Sequence, residues 1–107
     1  MEENVVEVES HQNFVKWREQ LKDVEVEALI AARLRRIQED GFLGDHAFVT
    51  RGVYELRIHY GPGYRLYYTW MSGRMILLLC GGDKSRQKRD IKRARRLAKE
   101  VKREKGK

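Results

Sequence analysis

One cysteine, one proline and the absence of any long apolar run set the first limits on this 107-residue chain. Cys80 has no second cysteine to pair with, so an internal disulfide is excluded. No apolar stretch approaches the ~20 residues that a bilayer-spanning helix needs, so no membrane partner is expected. The amino-terminal stretch Met1 to Ser10 is acidic and lacks the basic-then-apolar layout of a secretory signal, which points to the cytoplasm. His11 and His46 stand in separate segments without ligand-like spacing to each other or to Cys80, so neither a zinc site nor any other metal or cofactor is expected. Pro- and Ser-rich linkers and internal repeats are missing too, and residues 1–107 read as one domain.

Charge is abundant and unevenly placed. From Ser85 to Lys107 there are 12 Lys or Arg against 3 acids, whereas residues 1–84 hold 11 bases against 13 acids. The formal charge of +7 therefore belongs to the tail, and a segment of that kind attracts phosphate backbones by counterion release. A solubilising helix is the plain alternative.

Periodicity supplies the elements. Residues 4 to 8 suit a short opening strand, and Ser10 suits the N-cap of a helix carrying Phe14, Trp17 and Leu21. Val26, Ile30, Leu34 and Ile37 then form one stripe of a second helix. A loop from about Asp40 to Phe48 contains Gly41 and Gly44. Beyond it, Tyr54, Leu56, Ile58 and Tyr60 alternate with Glu55, Arg57 and His59, which predicts a strand with one core face and one wet face. Gly61-Pro62-Gly63 reverses the chain. In the next strand Leu66, Tyr68 and Trp70 alternate with Arg65, Tyr67 and Thr69. If the polar sides coincide, Arg57, His59, Arg65 and Tyr67 meet on one patch, but a one-residue slip would part them. Met75 to Cys80 is continuously apolar, which predicts an interior strand. Gly81 to Ser85 reads as a turn, and Ile91, Ala94, Ala98 and Val101 give a basic last helix, about residues 85–103, one apolar stripe for docking on the sheet. The expected fold is α+β: two N-terminal helices and a C-terminal helix on a mainly antiparallel, curved, four-stranded sheet, in the order β-α-α-β-β-β-α.

Several pieces together resemble one family: Phe14-Val15-Lys16-Trp17, Gly52 to Ile58, Tyr60 to Tyr68, Leu77 to Ser85, and Gln87 with Asp90-Ile91. They resemble the toxins of type II toxin–antitoxin modules, the RelE/ParE superfamily, and within it the HigB-like branch of addiction-module killer proteins. The resemblance implies a RelE-like fold and a toxin that cleaves messenger RNA in the ribosomal A site without a cofactor. It also implies a cognate antitoxin, a helix-turn-helix protein through which alone the toxin would reach operator DNA. A gyrase-inhibiting toxin of the ParE kind, or a relative that binds nucleic acid without cutting it, are the alternatives.

Cleavage of RNA requires activation of the 2′-hydroxyl, stabilisation of charge at the phosphate and protonation of the leaving oxygen. By similarity, Arg65 takes the place of a phosphate-binding arginine, Arg57 a basic position on the preceding strand and Lys84 a basic position before the last helix. His59, with an imidazole suited to moving protons near neutral pH, and Glu55 are candidate bases. Tyr60, Tyr64 and Tyr67 suit stacking on unpaired bases, and Arg86, Gln87 and Lys88 complete the expected substrate contacts. Many relatives carry Tyr or His at the start of the last helix. This chain has Arg86 to Ile91 there, and Asp90 alone could exchange a proton, if its environment perturbs it.

Overall fold

The computed structural model describes residues 5–105; Asn4, at the start of the expected first strand, lies outside them. The chain runs β1 (Glu7–Ser10), α1 (Gln12–Glu19), α2 (Val24–Asp40), β2 (His46–Thr50), β3 (Val53–Ile58), β4 (Tyr64–Met71) and β5 (Met75–Asp83). A 3-10 turn at Lys84–Arg86 then leads into α3 (Gln87–Lys105). The sheet has five strands in the order β1-β5-β4-β3-β2, antiparallel except for the parallel β1–β5 pair.

His11, rather than Ser10, caps α1: its Nδ1 accepts from the Asn13 amide at 3.0 Å. Asp23 caps α2 in the same way, accepting from Glu25 and Val26. The α2 stripe is buried as its spacing predicts, with Val26, Ile30 and Ile37 fully covered. Each such side chain contributes about 1.5–3 kcal/mol relative to exposure. Gly41 ends α2 in the left-handed conformation, at φ 72°.

Three further expectations need correction. The expected loop up to Phe48 contains the fifth strand, β2, which pairs with β3 at the edge of the sheet. The Gly81-Gly82-Asp83 segment is not a turn but the end of β5, still paired with Leu66, Arg65 and Tyr64. Most consequential, the polar side of β3 and β4 is not wet. One face of the sheet packs on α1 and α2 through Phe14, Ile30, Leu56, Leu66, Tyr68 and Leu78. The other carries a second core of Val53, Tyr67, Leu79, Cys80, Ala94, Leu97 and Ala98 beneath α3. Alanine at 94 and 98 lets the basic helix settle close to the sheet, and Leu97, outside the predicted stripe, fills the gap between them.

Candidate functional site

Strand register determines which predicted residues meet. Arg57 stands opposite Arg65, Glu55 opposite Tyr67 and Leu56 opposite Leu66, so the polar sides of β3 and β4 do coincide. The β3–β4 turn uses Gly61 and Gly63 at positive φ, and the Lys84 amide donates to the Gly63 carbonyl at 2.9 Å. That bond ties the turn to the start of the 3-10 segment. Between them lies an open cavity of about 360 Å³ lined by His59, Tyr60, Gly61, Pro62, Gly63, Arg65 and Lys84. Three of the four predicted catalytic residues share it, together with Tyr60, and no acidic side chain lines it.

The fourth, Arg57, stands beside this cavity in a network of carboxylates. Its Nε donates to Glu55 Oε2 at 2.8 Å, and its Nη1 lies 3.5 Å from Asp45 Oδ1. Asp45 Oδ2 in turn accepts from His59 Nε2 at 2.5 Å. This contact, with the nearby guanidinium of Arg57, holds the Asp45 carboxyl below the usual carboxylate range. With Nε2 engaged by Asp45, His59 also lines the cavity. Glu55 is buried, at 4% exposure, and its Oε1 lies 3.6 Å from Arg65 Nε, close enough for charge attraction yet without a hydrogen bond. A carboxylate placed between two guanidiniums orients them. Expected as a base, Glu55 is buried beside Arg57 and Arg65.

Two other placements differ from expectation. Tyr67, expected to stack on RNA, is fully buried under α3, and burial pushes its hydroxyl pKa well above the ordinary tyrosine value. Arg65, expected on open surface, is only 8% exposed and lines the cavity. The Tyr60 hydroxyl donates to Glu25 of α2, which raises its pKa to about 12 and leaves its ring as the cavity wall. Tyr64 and Arg86 line a separate pocket between α1 and α3, while Gln87 is half-buried and Lys88 exposed at the start of α3.

Sequence reasoning missed Asp45 and the residue that positions it. Arg33 of α2 donates from Nε to the Leu43 carbonyl at 2.8 Å, from Nη1 to the Arg57 carbonyl at 2.8 Å and from Nη2 to the Asp45 carbonyl at 2.5 Å. One guanidinium thus locks the loop before β2 to the end of β3. Gly44, at φ 76°, makes room for it: a Cβ there would lie 2.7 Å from Arg33 Nε. A long-range clamp of this kind has no short motif to announce it. Cys80 is an inert buried thiol with its pKa raised to about 12 by burial. No helix among the described residues is long and apolar enough to cross a membrane.

A family model described as phage derived protein Gp49-like (DUF891) matches residues 17–102. An uncharacterized protein of Haemophilus influenzae is 43% identical over 96 residues, which span 90% of this chain and 96% of that protein. Among solved structures, a chain of the intact E. coli RelBE toxin–antitoxin complex superposes with a TM-score of 0.60 at 15% identity, covering 74% of this chain and 96% of its own length. At that identity the likeness speaks to the fold.

Proposed function

The chain belongs to the Gp49-like family, a RelE/HigB-like toxin family, and from that premise we propose that it is the toxin of a type II toxin–antitoxin module, a ribosome-dependent endoribonuclease that cuts messenger RNA and is neutralised by a cognate antitoxin. The observation that carries this reading is the single cavity onto which His59, Arg65 and Lys84 open from three different segments. The antitoxin partner is supported by the structural likeness to a chain solved within a toxin–antitoxin complex. A cytoplasmic site of action follows from a translating ribosome as the target.

The chemistry is internal transesterification. His59 Nδ1 takes the proton of a ribose 2′-hydroxyl, whose oxygen attacks the adjacent phosphorus. The bond from phosphorus to the 5′-oxygen breaks, leaving a 2′,3′-cyclic phosphate and a 5′-hydroxyl. Arg65, with two parallel donors on its fork, holds the non-bridging oxygens as their charge grows. Lys84 supplies the proton to the departing 5′-oxygen. Asp45 engages His59 Nε2 and so fixes which ring nitrogen faces substrate. Glu55 and Arg57 act on the site through Arg65, by position and charge.

The test is expression in a translating bacterial extract with mapping of transcript 5′ ends. Breaks within the reading frame that vanish when initiation is blocked, and that fall by at least about 100-fold in His59→Ala, support the reading. Translation arrest in the extract with intact transcripts would overturn it.

A further inference from the structure

A second pocket, unused by the chemistry above, wraps the free edge of β5. Strand β1 pairs with Met75 to Leu78, so among the described residues no strand lies beside the last residues of β5 on that edge. The space there, about 390 Å³, is lined by the aromatic Trp17 and Tyr64, the cationic Lys16, Arg86 and Arg93, and the acidic Asp83 and Asp90. Two successive glycines admit this arrangement. A Cβ at Gly81 would lie 2.6 Å from the Trp17 ring, and a Cβ at Gly82 would lie 1.9 Å from Asp90 Oδ2. Asp90 is only 2% exposed, and its Oδ2 has no hydrogen-bond partner among the described residues, even though three cationic residues stand within one helical turn of it. A buried carboxylate oxygen without a donor costs about 1–3 kcal/mol or more, so its presence calls for a ligand that supplies one.

We infer that this pocket is a base-recognition subsite for guanine in single-stranded RNA, with Asp90 as the specificity-determining residue. Of the four RNA bases, guanine alone presents two adjacent N–H donors, N1–H and the 2-amino group, to the two oxygens of a carboxylate. Adenine and cytosine each set a ring nitrogen acceptor beside their amino group, and uracil flanks one N–H with two carbonyls. Asp90 reaches this pairing by rotation about its broad terminal torsion. Trp17 and Tyr64 offer aromatic walls for the base, and Lys16, Arg86 and Arg93 take the flanking phosphates.

The pocket and the cavity of His59, Arg65 and Lys84 are lined by successive residues of the same segments. Tyr64 and Asp83, which face each other across β4 and β5, line this pocket, and their chain neighbours Arg65 and Lys84 line the other. One strand of RNA can therefore place a phosphate in the first and the neighbouring base in the second. The inference rests on the nuclease reading for its biological substrate, but its test does not need cleavage.

Guanosine, adenosine, cytidine and uridine 5′-monophosphates are titrated separately into the full chain, and the Trp17 indole N–H resonance is followed, with Trp70 as internal control. GMP is expected to shift Trp17 at a concentration about tenfold below the other three. Asp90→Asn, which replaces one acceptor by a donor, should remove that preference while thermal unfolding stays cooperative. Arg93→Ala should weaken all four nucleotides alike and preserve the preference. Four nucleotides binding within about twofold of one another, or an undiminished GMP preference in Asp90→Asn, overturns the inference. Intact transcripts on expression sink the nuclease reading and leave this titration standing. A flat titration beside cut transcripts sinks the subsite alone.

Discussion

Asp45 and His59, fourteen positions apart, are joined by a 2.5 Å contact between Oδ2 and Nε2 that exists only because β2 and β3 pair in one register. Asp45 precedes β2, His59 follows β3, and Arg33 pins the backbone beside each. The imidazole is half of a dyad whose other half comes from a loop.

That dyad has an acid signature. The Asp45 carboxyl is held below its usual range by the His59 contact first and by Arg57 with it. A depressed folded pKa gives stability that is present above the unfolded value, near 3.8, and is lost as pH falls through the folded value. Asp45→Asn should therefore lower the melting temperature at neutral pH and flatten part of the acid limb below about pH 4, so that the two profiles converge at low pH. Profiles of identical shape for the two proteins would show that the pair is not formed in solution. In the cleavage assay the same variant should lose about 10- to 100-fold, the usual cost of removing a residue that orients another.

Arg65 carries both a structural and a functional load. Glu55 and Arg65 have side-chain exposures of 5% and 10%, so Arg65→Ala leaves a buried carboxylate with Arg57 as its remaining partner. Losing one member of a buried pair typically costs ~3–5 kcal/mol, and the surviving Arg57 contact should hold the loss to about 2 kcal/mol in urea unfolding. Glu55→Gln combined with Arg65→Ala should recover part of that loss. A single variant as stable as the native chain would place Arg65 on open surface, as strand alternation alone suggests.

The α2 stripe and the β3–β4 turn were legible in the sequence because each depends on neighbours a few residues away. Period 3.6 brings Val26, Ile30, Leu34 and Ile37 together whatever the rest of the chain does, and Gly61-Pro62-Gly63 forces a reversal. The burial of Tyr67 and Arg65 was not legible. Alternation separates two faces of a strand without saying whether a helix covers the second, and a helix as basic as α3 reads as a solvated one. Its docking turns on the small residues Ala94 and Ala98 and on Leu97. Strand β2 was hidden by its brevity and by the two glycines just before it. Asp45 could not be found at all, since its role follows from strand register and from Arg33.

Gly82 tests the packing around Asp90 directly. Its φ is unremarkable for any residue, so the constraint there is space: an added methyl would sit 1.9 Å from Oδ2 and 3.0 Å from Cγ of Asp90. Gly82→Ala should cost about 1–3 kcal/mol by overpacking. In the Asp90→Ala background, where those atoms are gone, the same substitution should be nearly free. Equal costs in both backgrounds would mean that something other than the carboxyl occupies the space.

Asp90 should also leave a pH dependence of opposite sign to that of Asp45. Burial raises its carboxyl above the ordinary value of 3.8, and Arg86, Arg93 and Arg89 offset this only in part, while Asp83 adds to it. Between the unfolded and folded values the native state holds a proton that the unfolded chain has released, so stability falls as pH rises through that window and then levels off. Asn in place of Asp keeps the shape without the charge. The difference in melting temperature between Asp90→Asn and the native chain should therefore grow in favour of the variant from pH 3.5 upward and become constant towards neutrality. Taking the difference cancels the acid-limb contributions of Asp45, Asp83 and Glu27, whose carboxyls are all shifted the other way. Parallel profiles would mean that the Asp90 carboxylate is already satisfied in solution, and the case for a ligand at that oxygen would go with it.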